Sequence, residues 1–160
     1  MPLLGMLFAK ECGQMNHHEI RCLNRILKGE HMAIGVYDEF IQNLKESELK
    51  YELITLRQEH ILHAMWLSRL IEDYGGKPDD STGLAGLMSR LTARINTWRY
   101  RQPVEILQVI CTGEDKGLAR AEQITRQILD QESRKAMSDY FKDEHQHITR
   151  VHNLLQQYHH

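Results

Sequence analysis

Apolar residues recur along the chain at alternating three- and four-residue steps, the spacing that lays one stripe along one side of an α-helix. The first run is Ile20, Leu23, Leu27, Glu30, Ile34, Tyr37, Ile41 and Leu44, and the second is Leu49, Leu53, Leu56, His60, His63, Leu67, Leu70 and Tyr74. A third joins Leu107, Ile110, Glu114, Gly117, Ala121, Ile124 and Ile128. The fourth joins Met137, Phe141, Glu144, then His147 with Ile148, Val151, Leu155 and Tyr158. Prolines stand only at positions 2, 78 and 103, and the stretches between are rich in good helix formers. The pattern predicts an all-α chain with helices over about 17–46, 48–74, 103–130 and 132–158, each about 27 residues or ~40 Å long.

The joints set the arrangement. Y-G-G-K-P at 74–78 stops the second helix, and Pro103 suits the first turn of the third. The first two helices, and the last two, are joined so briefly that each pair must be antiparallel. The middle joint, 75–102, is long and contains G-L-A-G-L-M-S-R-L-T-A-R-I-N-T-W, which predicts a shorter helix on the outside. A four-helix bundle with one long crossover follows, occupying 17–158 as one domain behind a tail at 1–16.

Each stripe is apolar except near its middle. The interruptions are Glu30 on the first helix, His60 and His63 on the second, Glu114 on the third, and Glu144 with His147 on the fourth. In an antiparallel bundle mid-helix positions share one height, so these six residues converge on one point of the core. Three carboxylates there repel one another unless protonated, paired with cations or bound to metal. An internal repeat agrees with the convergence. L-K-G-E at 27–30 and C-T-G-E at 111–114 are offset by about 84 residues, and the same offset lays His60 on Glu144 and His63 on His147.

Composition narrows the function classes. Hydrophobic residues make up 41% and charged residues 26%, with a formal net charge of −2 and interspersed signs. No basic field exists for nucleic acid or anionic lipid. Cys12, Cys22 and Cys111 are isolated, so no thiolate metal centre or redox dithiol is indicated and a reducing compartment, by default the cytoplasm, fits best. The apolar P-L-L-G-M-L-F-A at the start is too short to span a membrane and lacks a basic segment before it; it reads as a docking tail or oligomer contact. His17, His18, His159 and His160 lie at the ends and read as solvated.

At the stripe residues the sequence resembles the ferritin-like superfamily, which includes rubrerythrin and bacterioferritin. It looks closest to a bacterial branch of stand-alone four-helix proteins. The matching text is G-E-H-M-A-I-G-V-Y-D-E-F, E-H-I-L-H-A-M-W-L-S-R-L-I-E-D-Y-G-G-K-P, E-I-L-Q-V-I-C-T-G-E-D-K-G-L-A and E-H-Q-H, within about residues 20–158. The resemblance implies a metal site built from Glu30, His63, Glu114, Glu144 and His147, with His60 standing where a glutamate is expected. Two iron ions, or manganese, would be held there, with Tyr37 and Glu59 as outer partners of the ligands. Glu59 does not replace the missing glutamate, because one residue turns about 100° around the helix.

Such a resemblance implies O2- or H2O2-linked oxidation, of ferroxidase or peroxidase type, or iron handling under stress. Without a cysteine centre, an external electron donor would be needed, and a homo-oligomer is expected. The alternative is a metal-free structural or interaction protein, in which His60, His63 and His147 pair with the glutamates and no cofactor is present.

Overall fold

Capping residues and glycine stops cut the chain into helices close to where the periodicity puts them. The computed structural model describes residues 17–45, 47–79, 102–128 and 131–159. Helices α1 (His17–Asn43), α2 (Glu48–Asp73), α3 (Pro103–Ile128), α4 (Gln131–Ala136) and α5 (Ser138–Tyr158) account for most of them, and no strand occurs among the described residues. The tail at 1–16 and the extra crossover helix expected within 80–101 lie outside the described residues. None of the described helices is long and apolar enough to cross a membrane.

Ser47 starts α2 by accepting the Lys50 N–H on Oγ at 3.3 Å, satisfying one of the free amides of a first turn. At the other end Gly75 takes a left-handed φ of 77° and Gly76 donates to the Ile71 carbonyl at 2.9 Å. A Cβ at Gly76 would lie 2.8 Å from Ile20 Cγ2 and 2.9 Å from Ile71 Cγ2, so only glycine lets the chain pass this close to α1. Asn24 of α1 then fastens the departing strand of chain, donating to the Lys77 carbonyl at 3.0 Å and accepting the Asp79 N–H at 2.8 Å. Pro103 opens α3, and Glu105 reaches back to accept the Gln102 N–H at 3.0 Å.

The expected fourth helix is broken at Met137 into α4 and α5. Q-E-S-R-K-A in α4 is polar and has little to pack, whereas the Met137 side chain is fully buried, so the break falls where burial begins. The carbonyl of Met137 still accepts the Phe141 N–H at 3.1 Å, and the interruption is confined to one residue.

The helix α1 packs along α2 and α3 along α5; α1 also meets α3, and α2 with α5 make the thinnest of these contacts. Two apolar cores result. One gathers Leu23, Leu27, Leu67, Ile71, Ile124 and Met137; the other gathers Phe40, Leu53, Leu56, Leu107, Ile110 and Val151. Each such buried side chain contributes about 1.5–3 kcal/mol relative to exposure. Between the two cores lies a buried polar layer of Glu30, His60, Glu114, Glu144 and His147.

The stripes differ in detail from a strict seven-residue repeat. A straight helix drifts by about 20° per heptad from that repeat, so Ala64 and Ile71 are buried in α2 while Leu70 and Tyr74 are only partly so. In α5 Tyr140 takes the buried place expected of Phe141, and in α3 Gly117 is exposed, with open space where its Cβ would be.

Candidate metal centre

Each helix delivers its polar residue to the layer because the apolar residues one turn above and below are clamped in the two cores. His60 sits between Leu56 and Ala64 of α2, both buried, which fixes the height of its ring. The imidazole bridges two helices. Its Nδ1 donates to Glu30 Oε2 of α1 at 2.8 Å and its Nε2 donates to Glu114 Oε1 of α3 at 2.9 Å. Since carboxylates only accept, both ring nitrogens carry hydrogen.

His147 of α5 extends the network. Its Nδ1 donates to Glu59 Oε2 at 2.7 Å, and its Nε2 lies 3.4 Å from Glu114 Oε1. Glu59 is also paired with Arg150, and both are partly exposed. Tyr37 donates from Oη to Glu114 Oε1 at 2.8 Å, and Tyr140 donates to Glu30 Oε1 at 2.5 Å. The Tyr140 ring stacks on Trp66, with planes 8° apart.

A different state prevails around His63 and Glu144. His63 Nδ1 and Glu144 Oε1 are 2.5 Å apart, yet neither makes a hydrogen bond. Among the described residues the only other buried side-chain polar atom without a partner is Arg57 Nε. Leaving such a pair unsatisfied costs about 1–3 kcal/mol per group. A cation coordinated by both atoms, with their contact opened to admit it, would satisfy them.

The six sequence-predicted residues are thus brought together, as two groups. Glu30, His60, His63 and Glu144 offer ligand atoms all within 4.8 Å of one another, and so do His60, Glu114 and His147. Imidazole and carboxylate donors of this kind suit iron, manganese or zinc. Tyr37 and Glu59 both contact members of the groups. Tyr140 and Arg150 were missed by sequence reasoning. Tyr140 lies one helical turn before Glu144, a position that could have flagged it, whereas nothing in the spacing marks Arg150.

The electrostatics follow from burial set against pairing. Burial disfavours charge on His60, but the Glu114 and Glu30 hydrogen bonds outweigh it and raise its pKa well above the ordinary 6.5. His147 is raised in the same way by Glu114 and Glu59, against burial and the nearby His60. Glu114, despite burial, is held well below the ordinary 4.5 by His147 and His60, and Glu59 is lowered by His147 and Arg150. Burial and the adjoining carboxylates push the phenols of Tyr37 and Tyr140 well up, so both remain donors. The thiol of Cys111 is pushed up to about 11 by burial, which makes it inert as a ligand at neutral pH.

These directions give a pH dependence of folding. The raised histidines stabilise fully below 6.5 and lose that contribution as pH rises through their folded values. The lowered carboxylates stabilise fully above 4.5 and lose theirs as pH falls. Urea midpoints of the chelator-treated protein are therefore expected to peak between 4.5 and 6.5 and to decline on both sides. A midpoint that climbs steadily from pH 6.5 to 9 contradicts the pairing.

Residues 18–127 match a family model described as a domain of unknown function, DUF2383. No curated protein and no solved structure matches the chain. The matched stretch holds Glu30, His60, His63 and Glu114, whereas Glu144 and His147 lie beyond it.

Proposed function

The chain belongs to the DUF2383 family, and from the buried carboxylate and imidazole donors of its core we propose that it binds iron or manganese and uses the ion in oxidation by O2 or H2O2. We read the architecture as a ferritin-like four-helix bundle with its crossover between α2 and α3. The observation that carries the proposal is the pair His63 Nδ1 and Glu144 Oε1, buried, 2.5 Å apart and without hydrogen bonds. Glu30, His63 and Glu144 would hold the ion, and Glu114 with His147 are the remaining donors of the layer.

A bound ion would supply an open coordination position and a change of oxidation state. The chain's own residues supply the rest. Tyr140 orients Glu30 and Tyr37 orients Glu114 through hydrogen bonds that the raised phenol pKa values preserve. His147 links buried Glu114 to half-exposed Glu59, a route along which a proton can pass between the layer and solvent. Anaerobic protein loaded with Fe(II) is expected to consume H2O2 faster than the same Fe(II) free in buffer, with the iron retained on the protein afterwards. Iron that stays in the filtrate through loading contradicts the proposal.

A metal-free structural role is the second reading. It is favoured by the group of His60, Glu114 and His147, in which Tyr37 and the three side chains already meet one another's hydrogen bonds.

We also propose a homodimer through the outward face of α2. Tyr51, Ile54, Leu62 and Met65 are exposed there, and their order is symmetric about exposed Gln58. An antiparallel second copy would set Tyr51 on Met65 and Ile54 on Leu62, with Glu48 beside Arg69, as a two-fold interface requires. Light scattering is expected to give a dimer that Met65→Asp converts to monomer; a monomeric natural chain contradicts it.

A further inference from the structure

We infer that the centre takes one ion rather than two, because His60, donating to two carboxylates at once, fills the place of the second. The inference rests on the metal-binding reading above and narrows it. The ring is 2% exposed and has no freedom to swing toward solvent. Its nitrogens are 2.8 Å from Glu30 Oε2 and 2.9 Å from Glu114 Oε1, so it joins the carboxylates of α1 and α3 as a bridging cation would.

The two groups of donors differ in what an entering ion must displace. Around Glu114 it would find Oε1 already accepting the bonds from Tyr37 and His60, and to gain His60 as a ligand it would have to break the His60 bond and strip a hydrogen from the ring. Those bonds are buried and charge-assisted, the stronger kind. Around His63 and Glu144 only their own contact at 2.5 Å has to open, because those atoms have no hydrogen-bond partners. An ion ligated by Glu30, His63 and Glu144 is compatible with His60 staying as it is, since each carboxylate oxygen has a second lone pair.

Charge leads to the same conclusion. A divalent ion offsets Glu30 and Glu144, while Glu114 faces His60 at 2.9 Å and His147 at 3.4 Å, and Glu59 faces Arg150. A second ion in the Glu114 group would compete with His60 for a carboxylate that its ring already contacts at 2.9 Å. The departure of His60 from the carboxylate expected at this position therefore has a use: it substitutes a fixed side chain, bonded to both carboxylates, for a dissociable ion.

The experiment is a count of Mn(II) and Fe(II) retained per chain after gel filtration, for the natural protein and for His60→Glu, with circular dichroism as a check on folding. One ion in the natural chain and two in the variant is the expected result. Two ions in the natural chain overturn this inference and leave the metal-binding reading standing. One ion in both does the same, since His60 would then not be what limits the count. No ion in either overturns both. If His60→Glu fails to fold, 15N spectra of the natural protein loaded with Zn(II) decide: both His60 ring nitrogens protonated supports the inference, and a metal-bound His60 nitrogen overturns it.

Discussion

Replacing Glu114 by alanine is expected to cost the metal-free protein about 3–5 kcal/mol, the range for removing one partner from a buried ion pair. Glu114 is the hub of the polar layer. Its Oε1 accepts from Tyr37 and His60 and lies 3.4 Å from His147 Nε2, so one substitution strands a phenol and takes one of two carboxylate partners from each imidazole. The His60 and His147 ring centroids are 4.5 Å apart, and without the carboxylate their charges repel across that gap. Urea unfolding at pH 6 measures the loss. A cost below about 1 kcal/mol, as for an exposed pair, would mean that the network contributes little. Glu114→Gln keeps an acceptor and is expected to fall between the natural chain and the alanine variant.

The second large effect concerns metal. The double variant Glu30→Ala, Glu144→Ala is expected to lose ion binding by more than about 100-fold, beyond what changes to outer partners of ligands cost. Both carboxylates belong to the group with unsatisfied donors, and their removal leaves His63 as the sole ligand that is not hydrogen-bonded elsewhere. Glu59→Gln is the control. It touches the layer only through His147 and Arg150, so the ion should be retained at close to the natural level. Equal retention in the double variant and the natural chain would remove Glu30 and Glu144 from any metal site.

How much of this could be read from the sequence depends on whether backbone or side-chain geometry decides it. The helices were legible because their starts and stops rest on local chemistry: Ser47 capping α2, Gly75 and Gly76 ending it, Pro103 opening α3. The meeting of Glu30, His60, Glu114, Glu144 and His147 was legible because a polar residue at mid-stripe in a bundle has only the core to enter. The exchange of Phe141 for Tyr140 was not, because a one-residue difference in facing is smaller than the drift between the helical and heptad repeats. Tyr140 then proves to be a partner of Glu30, for which its place one turn before Glu144 was the one signal in the sequence. Nor does spacing divide six residues into two groups. That division depends on which way the His60 ring is turned and on which lone pairs are left without hydrogen, both matters of side-chain torsion. The break at Met137 belongs with these, since it separates a polar turn from the first buried residue rather than marking a helix-breaking residue.

The expected role of His60 is changed most. By position it stands where the ferritin-like pattern has a bridging carboxylate, and sequence alone leaves it as a defect in a ligand set. In the fold it is a donor to Glu30 and Glu114 together, and with His147 it holds Glu114 ionised. A residue that departs from the expected ligand set thereby ties the carboxylates of α1 and α3 together.

His63 and Glu144, whose facing atoms make no hydrogen bond, are read as cation ligands. An anomalous-scattering map from crystals of untagged protein grown with Mn(II) tests this reading most directly. One peak is expected at bonding distance, about 2 Å, from His63 Nδ1 and from carboxylate oxygens of Glu144 and Glu30. A map with no peak there, and His63 hydrogen-bonded to Glu144 instead, would contradict it.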